Sequence, residues 1–225
     1  MGCDIHIYLE KKINGNWVSA DPFTIDLDGN LDVDRKKRIY RKRDYLVFSV
    51  LAGVRTFPMP SEYWQKYEAT GFPADADPLV KQVYDRYGID AHTASSLTLK
   101  QVTAVDWEKE AVPLQFDGTA RQKEIYDFCK NKFINENGKF EQGAWKLTKP
   151  FVIDYFLYDA IKAPWISVLE VYLEPKHTPT TTFWALVPLE LACEEFYEVI
   201  RKLEDMTITE NLKDDEIRLV FWFDN

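Results

Sequence analysis

Polar and apolar residues alternate at both ends of the chain, and this pattern predicts a strand at each end. Near the N-terminus, the apolar side chains at positions 3, 5, 7 and 9 alternate with Asp4, His6, Tyr8 and Glu10. Residues 218–224 alternate in the same way. A period of two is typical of a strand with one buried face. We therefore expect the first and last strands to be neighbours in one sheet.

Helical periodicity and helix-capping signals predict helices between these two strands. A proline at position 78 after Asp77 is a typical helix start, and Gly88 is a typical helix end. Thr98 and Thr119 each begin a capping-box pattern. The clearest apolar stripe follows position 188. The predicted helices span residues 45–54, 61–69, 78–87, 99–105, 188–205 and the stretch between Thr119 and Gly138.

Turn signals complete the predicted fold. Asn14 followed by Gly15 predicts a hairpin turn into a return strand that begins at Trp17. Residues 165–173 are predicted as a further strand. The chain has no internal repeat, low-complexity segment or linker. The sequence therefore predicts a single α+β domain over residues 1–225. Its antiparallel or mixed sheet includes the N- and C-terminal strands and is covered by helices on one face.

Composition narrows the class of protein. Of the 225 residues, 46% are hydrophobic and 15% aromatic, which is enough apolar surface for a large core. No apolar run approaches the about 18 residues of a membrane span, so no membrane association is expected. The N-terminus does not resemble a signal peptide. Cys3, Cys129 and Cys193 lie far apart, which is typical of reduced thiols. Together these features predict a cytoplasmic protein, in the host cytoplasm if the chain is phage-encoded.

Charge separates one segment from the rest of the chain. Acidic residues outnumber basic ones by 37 to 28, for a net charge of -9. We expect no direct binding to nucleic acid, because sequence-independent binding needs a basic protein face. Residues 34–44 are the exception, since they are rich in arginine and lysine. This stretch is either a solvated loop or helix start, or an anion-binding edge for phosphate or a charged partner.

The first strand carries a candidate site at Asp4 and His6. Residues two apart on a strand point to the same side, so the carboxylate and the imidazole converge beside Tyr8. A carboxylate and an imidazole form half of a typical divalent metal site. They also form a typical acid–base pair, in which the carboxylate orients the ring. The alternative is a half-exposed strand that shows polar residues to solvent.

A second Asp-x-His unit lies at Asp90 and His92, followed by Ser95 and Ser96. The pattern predicts a polar loop before a helix, and loops on a rigid scaffold often carry binding residues. If the two units meet in space, they supply two aspartates and two histidines as metal ligands. The alternative is a capping residue beside a solvent-facing histidine.

Two further polar residues lie at positions of interest. Arg55 follows a predicted buried helix, where its guanidinium would meet a phosphate or pair with a structural aspartate. His177 lies between two prolines and is interpreted as a surface residue. The chain lacks the glycine-rich loops of common nucleotide-binding folds.

Several short segments together resemble a known family. Residues 1–6, 43–45, 51–55, 92–98 and 220–225 read MGCDIH, RDY, LAGVR, HTASSLT and VFWFDN. They resemble an uncharacterised family of small phage and bacterial proteins, and they are spread over most of the chain. The family usually has Ser-x-Ser-Trp after the histidine, whereas this chain lacks the tryptophan. The resemblance implies a phage accessory role, and it implies that the family's recurring motif positions are Asp4, His6, Arg55, His92 and Ser95.

These observations favour a metal-dependent hydrolase that acts on a small phosphorylated or nucleotide-like substrate. Zn²⁺, Mn²⁺ or Fe²⁺ would activate a water molecule, and Arg55 would stabilise negative charge on the phosphate. The candidate metal ligands are Asp4, His6, Asp90 and His92, and the candidate catalytic residues are Asp4, His6, Arg55 and Ser95. One alternative is a non-enzymatic binder of a small anionic ligand or a host protein. A second is a structural or assembly accessory.

Overall fold

The structure is a computed structural model that describes residues 3–26, 29–55, 65–108, 110–119 and 180–224. The chain divides into two compact units. Unit 1 comprises Met1–Val105 and Cys193–Asn225, and unit 2 comprises Asp106–Ala192. The single domain over residues 1–225 stays a prediction.

Unit 1 is built on a four-stranded sheet that includes both terminal strands. Its strands are β1 (Asp4–Ile13), β2 (Asn16–Ser19), β5 (His92–Thr98) and β8 (Ile217–Asp224). They are arranged in the order β2-β1-β8-β5, and every neighbouring pair is antiparallel. The predicted α+β class, with the first and last strands adjacent, is therefore confirmed.

Two tight hairpins shape the N-terminal part of unit 1. Asn14 and Gly15, with φ of 53° and 84°, form the turn between β1 and β2. Positive φ at both positions matches the twist of the flanking strands, which is why this dipeptide closes hairpins. The second hairpin pairs β3 (Phe23–Ile25) with β4 (Leu31–Val33).

Helices cover both faces of this sheet. On one face, Trp222 packs in a cluster with Val80 and Val83 of α2 (Pro78–Tyr87). On the other, the ring of Phe223 lies 5.2 Å from that of Phe48 in α1 (Tyr45–Ala52). Neighbouring residues of a strand point to opposite faces, so β8 is buried on both sides. The alternation predicts helices on one face only. The alternation does not predict the helix on the second face, because Tyr8, on the face that the pattern assigns to solvent, is packed into the core.

The helix ends follow the capping signals of the sequence. Asp44 and Asp77 cap α1 and α2 by accepting a backbone N–H, and Gly53 ends α1 in the left-handed conformation. Thr98 forms the predicted capping box, although its helix α3 (Leu99–Val102) is shorter than expected. The predicted helix at 188–205 is two helices, α4 (Leu189–Ala192) and α5 (Glu194–Glu210), with Cys193 between them.

Unit 2 contains a two-stranded antiparallel ladder followed by α4. Strand β6 (Ala111–Thr119) pairs with β7 (Thr180–Pro188). The predictions for the helix before Gly138, the strand at 165–173, Cys129 and His177 lie outside the described residues. Of the predicted helix at 61–69, residues 65–69 are not helical, and residues 61–64 lie outside the described residues. Over the described part of the chain, every helix is too short or too polar to cross a membrane.

Candidate functional site

A cavity of about 520 Å³ lies in unit 1, between the start of β1 and the loop that connects β4 to α1. We call it the basic cavity, because five of its residues are cationic and one is a carboxylate. Its lining residues are Asp4, Ile5, His6, Arg35, Arg38, Tyr40, Arg41, Lys42 and Arg43. The arginine-rich stretch at 34–44 thus forms the wall of a concave site.

Local contacts fix the loop that forms this wall. The backbone N–H of Lys37 donates to the carbonyl of Asp34 over 2.7 Å, which closes a turn. Tyr40 is buried, and its ring meets that of Phe196 edge-on at 5.9 Å. Asp44 then caps α1. Because the loop is held at its start, middle and end, its basic side chains are presented from a fixed backbone.

Three of the five cations have an acidic partner. Arg38 Nη2 donates to Asp32 Oδ2 over 3.1 Å. Arg43 Nε lies 3.1 Å from Asp4 Oδ1. Lys42 makes an exposed pair with Glu195 on α5. These three cations are therefore at least partly neutralised by the protein itself.

The other two cations, Arg35 and Arg41, make no ion pair within the described residues. Both are exposed at the cavity. A guanidinium group presents five N–H donors in a planar fork that matches a phosphate or carboxylate. The cavity therefore carries two positive charges that are available to an anion from solution.

Asp32 anchors the back of this wall. Its carboxylate accepts the Tyr8 hydroxyl over 2.8 Å and is paired with Arg86 at 3.0 Å as well as with Arg38. Arg38 Nε also donates to the Val33 carbonyl over 3.2 Å. Arg38 thus enters the cavity wall with its orientation set by two hydrogen bonds, which leaves Nη1 without a partner in the described structure.

His6 forms part of the cavity wall from β1, and its side chain is 8% exposed. The ring lies between those of Tyr87, at 4.4 Å, and Trp222, at 5.5 Å. Nδ1 is hydrogen-bonded to the Tyr87 hydroxyl at 3.2 Å, and Nε2 lies 3.3 Å from Asp224 Oδ2. The interpretation of a half-exposed strand is therefore wrong at His6, because α2 covers this face of the sheet.

Burial controls the protonation of this histidine. Loss of solvation lowers the pKa of His6, and the nearby Asp224 carboxylate opposes that shift. Burial also raises the pKa of the Tyr87 hydroxyl. In the chain of residues Tyr87, His6 and Asp224, burial thus favours a neutral phenol at Tyr87 and a neutral imidazole at His6.

Two buried polar atoms on cavity-lining residues have no hydrogen-bond partner in the described structure. They are Nε2 of His6, which is within ion-pair distance of Asp224 but outside hydrogen-bond geometry, and the hydroxyl of Tyr40. Burial raises the pKa of Tyr40, so this hydroxyl stays protonated. Unsatisfied buried polar atoms are rare, and each one calls for an explanation such as a bound water, an ion or a functional role.

The second Asp-x-His unit does not join the first. His92 lies opposite Phe223 in the sheet and stacks on its ring at 5.9 Å. His6 lies opposite Trp222 and stacks on that ring, so the two imidazoles are on opposite faces. Asp90 is exposed at the end of a short turn of 3₁₀ helix. No group of three or more metal-ligating side chains occurs in the described part of the chain. The described residues therefore contain no preformed metal site of this kind, and metal binding stays a prediction.

Residues 92–98 form strand β5, not the polar loop that the sequence predicts. The strand pairs with β8 and carries an irregularity between His92 and Ser95, where Thr93 has a φ of 51°. Pairing with β8 overrides the small polar composition of the segment. Ser95 is buried, and its hydroxyl accepts the Thr70 backbone N–H over 3.2 Å. Ser95 is not part of the cavity lining.

Arg55 also lies away from the cavity lining. Its guanidinium carbon is 5.8 Å from the Tyr45 ring centroid, and it hydrogen-bonds the thiol of Cys3. Burial nevertheless raises the pKa of that thiol, with Arg55 opposing the shift. Of the predicted site residues, the cavity therefore brings together Asp4 and His6 only.

The sequence interpretation missed several residues of the site. The sequence identifies the basic stretch at 34–44 as a candidate anion-binding edge, but it does not connect the arginines of this stretch with Asp4 and His6. Asp224 was visible only as the polar end of the last strand, and no sequence signal marked Tyr87. No protein-family model, curated protein or solved structure matches the chain. The family resemblance therefore stays a prediction.

Proposed function

We propose that unit 1 binds a small phosphorylated or nucleotide-like anion in the basic cavity. The observation that carries this proposal is the presence of Arg35 and Arg41, two cations without an ion pair in the described structure, at a concave site. Hydrogen bonds from a guanidinium to a phosphate are charge-assisted and about twice as strong as neutral ones.

The size and the charge of the cavity both support a small ligand. A volume of about 520 Å³ falls within the range of small-molecule sites. The chain as a whole has a net charge of -9, so the positive cavity is a local feature of an acidic protein. A concave cationic site on such a surface concentrates small anions and disfavours an extended polyanion.

The anchored arginines make the site suitable for binding without large rearrangement. Arg38 is held by Asp32 and the Val33 carbonyl, and Arg43 by Asp4 and the Cys3 carbonyl. Side chains that are already ordered lose less conformational entropy when a ligand binds. We therefore expect Arg38 and Arg43 to contact the ligand from fixed positions, while Arg35 and Arg41 close on it.

A second candidate function is hydrolysis of the bound phosphoester. The Tyr87–His6–Asp224 chain supports it, because a neutral imidazole beside a carboxylate is suited to general acid–base catalysis. A divalent metal in this reaction would have to be held by Asp4 and His6 without His92. Phosphate release from saturating ATP should then be abolished by His6→Asn and unaffected by His92→Asn. Release no faster than buffer alone would rule this candidate out.

Isothermal titration calorimetry of the full chain with ATP, AMP and inorganic pyrophosphate tests the binding proposal. We expect saturable binding of one ligand per chain at low salt. The affinity should weaken as sodium chloride is added, because ions screen the cavity charges. Absence of saturable binding for all three compounds at low salt would contradict the proposal.

A further inference from the structure

Among the described residues that line the basic cavity, Asp4 is the one acidic side chain. We infer that it determines ligand specificity by accepting a hydrogen bond from a hydroxyl group beside the ligand's phosphate. The ligand class is then a phosphate ester that carries hydroxyl groups, either a free sugar phosphate or a nucleotide. This inference rests on the proposed binding function and narrows the ligand of the same site.

The position of Asp4 leaves half of its carboxylate open. The backbone N–H of Asp4 donates to Asp224 Oδ1 over 3.2 Å, which ties the residue to the end of β8. Oδ1 of Asp4 is paired with Nε of Arg43, and the side chain is 56% exposed. Oδ2 makes no hydrogen bond or ion pair in the described structure. One oxygen is therefore fixed on the cavity wall while the other is free to accept.

A carboxylate in this position has opposite effects on two kinds of ligand. Toward a bare polyanion, Asp4 is repulsive and also competes for Arg43. Toward a ligand that carries hydroxyl groups beside the phosphate, it offers a charged acceptor. Hydrogen bonds to charged groups are the stronger class. In a site for inorganic phosphate or pyrophosphate alone, Asp4 would serve only to hold Arg43 in place.

A metal-ligand role for Asp4 predicts a different pattern. Removing a metal-coordinating residue would weaken the binding of every compound whose phosphate reaches the metal, whether or not the compound carries hydroxyl groups. Removing a purely structural residue would also weaken all ligands together. The acceptor role alone predicts that the change in affinity has opposite signs for the two ligand types.

The test measures the affinities of inorganic pyrophosphate and ribose 5-phosphate for the full-length wild-type protein and for Asp4→Ala. We expect the variant to bind ribose 5-phosphate about tenfold more weakly, since a charge-assisted hydrogen bond is lost. We expect it to bind pyrophosphate several-fold more tightly, because a repulsive negative charge is removed while Arg43 stays hydrogen-bonded to the Cys3 carbonyl. AMP should follow ribose 5-phosphate, and whichever of the two binds wild type more tightly identifies the free sugar phosphate or the nucleotide as the natural source.

Glu195→Ala is the matched control, because Glu195 pairs with the cavity residue Lys42 but does not line the cavity. Glu195→Ala removes the same charge as Asp4→Ala, and it should change the affinities for both ligands in the same direction. A change of the same sign for both ligands in Asp4→Ala would overturn the inference and leave the binding proposal intact. If wild type binds neither ligand, nor ATP, the proposed function itself fails.

Discussion

Arg218 Nε donates to Oε2 of Glu10 over 2.7 Å in the interior of unit 1. The two residues lie opposite each other on β8 and β1, and Glu10 is fully buried. The other Glu10 oxygen accepts the backbone N–H of Asp77 at the start of α2. The guanidinium also lies 4.0 Å from the ring centroid of Trp17. The ion pair thus joins β1 and β8, and the other contacts of its two residues link these strands to β2 and to the start of α2.

Replacement of Arg218 by methionine should strongly destabilise the protein, because Glu10 would be left as an unpaired buried charge. The expected loss is about 3–5 kcal/mol of the free energy of unfolding. Lys11→Met breaks the more exposed pair with Glu210 and should cost less than about 1 kcal/mol. Urea unfolding of both variants provides the comparison. Adding Glu10→Gln to Arg218→Met should restore part of the loss, and equal losses in the two single variants would contradict this account.

Asp21 should make stability depend on pH. Burial raises its pKa from 3.8 to about 6, although the carboxylate accepts the Leu9 backbone N–H over 2.6 Å. The pKa of Asp21 is higher in the folded protein than in the unfolded chain. Its favourable contribution to the free energy of unfolding is therefore fully present below pH 3.8 and is lost as pH rises through about 6. The loss between these limits is about 2–3 kcal/mol, since each pKa unit corresponds to about 1.4 kcal/mol.

The Asp21→Asn variant removes this titration while it keeps an acceptor for Leu9. Its free energy of unfolding relative to wild type should therefore increase by about 2 kcal/mol between pH 4 and pH 7.5. Urea unfolding of both proteins at the two pH values measures the difference. A constant difference between variant and wild type across this range would show that Asp21 does not titrate as its burial implies.

How much of the fold was predictable depends on how local the signal is. The Asn14 turn, the Asp77 and Thr98 caps and the two terminal strands follow from residues close in sequence, and the structure has them all. Strand β5 could not be predicted, because its small polar residues favour a loop until β8 pairs with them. Burial of the polar face of β1 was also hidden, since α2 covers it from a distant part of the chain.

The site was predictable only in its separate parts. The sequence pointed to Asp4 and His6 on one strand and to the arginines of 34–44 as a possible anion edge. Nothing local indicated that these two parts share a cavity, because the ion pair between Asp4 and Arg43 depends on tertiary packing. The pairing of two Asp-x-His units was attractive on composition, but strand register puts His6 and His92 on opposite faces.

The opposite-face arrangement gives a prediction for metal content. His6 and His92 cannot share one ion while the sheet is intact, so elemental analysis should not show one metal that both His6→Ala and His92→Ala remove. A single stoichiometric Zn²⁺ or Mn²⁺ that is lost from both variants would contradict the described geometry.

The most direct test of the central claim compares two double variants of the same loop. Arg35→Ala/Arg41→Ala removes the two unpaired cations of the cavity, and Lys36→Ala/Lys37→Ala removes two exposed cations that do not line it. Both variants lose the same charge, so general electrostatic attraction changes equally. We predict that calorimetry shows at least about a tenfold loss of pyrophosphate affinity for the arginine variant, as expected for lost charge-assisted hydrogen bonds, and less than about a threefold loss for the lysine variant. Equal losses in the two variants would contradict binding in the basic cavity.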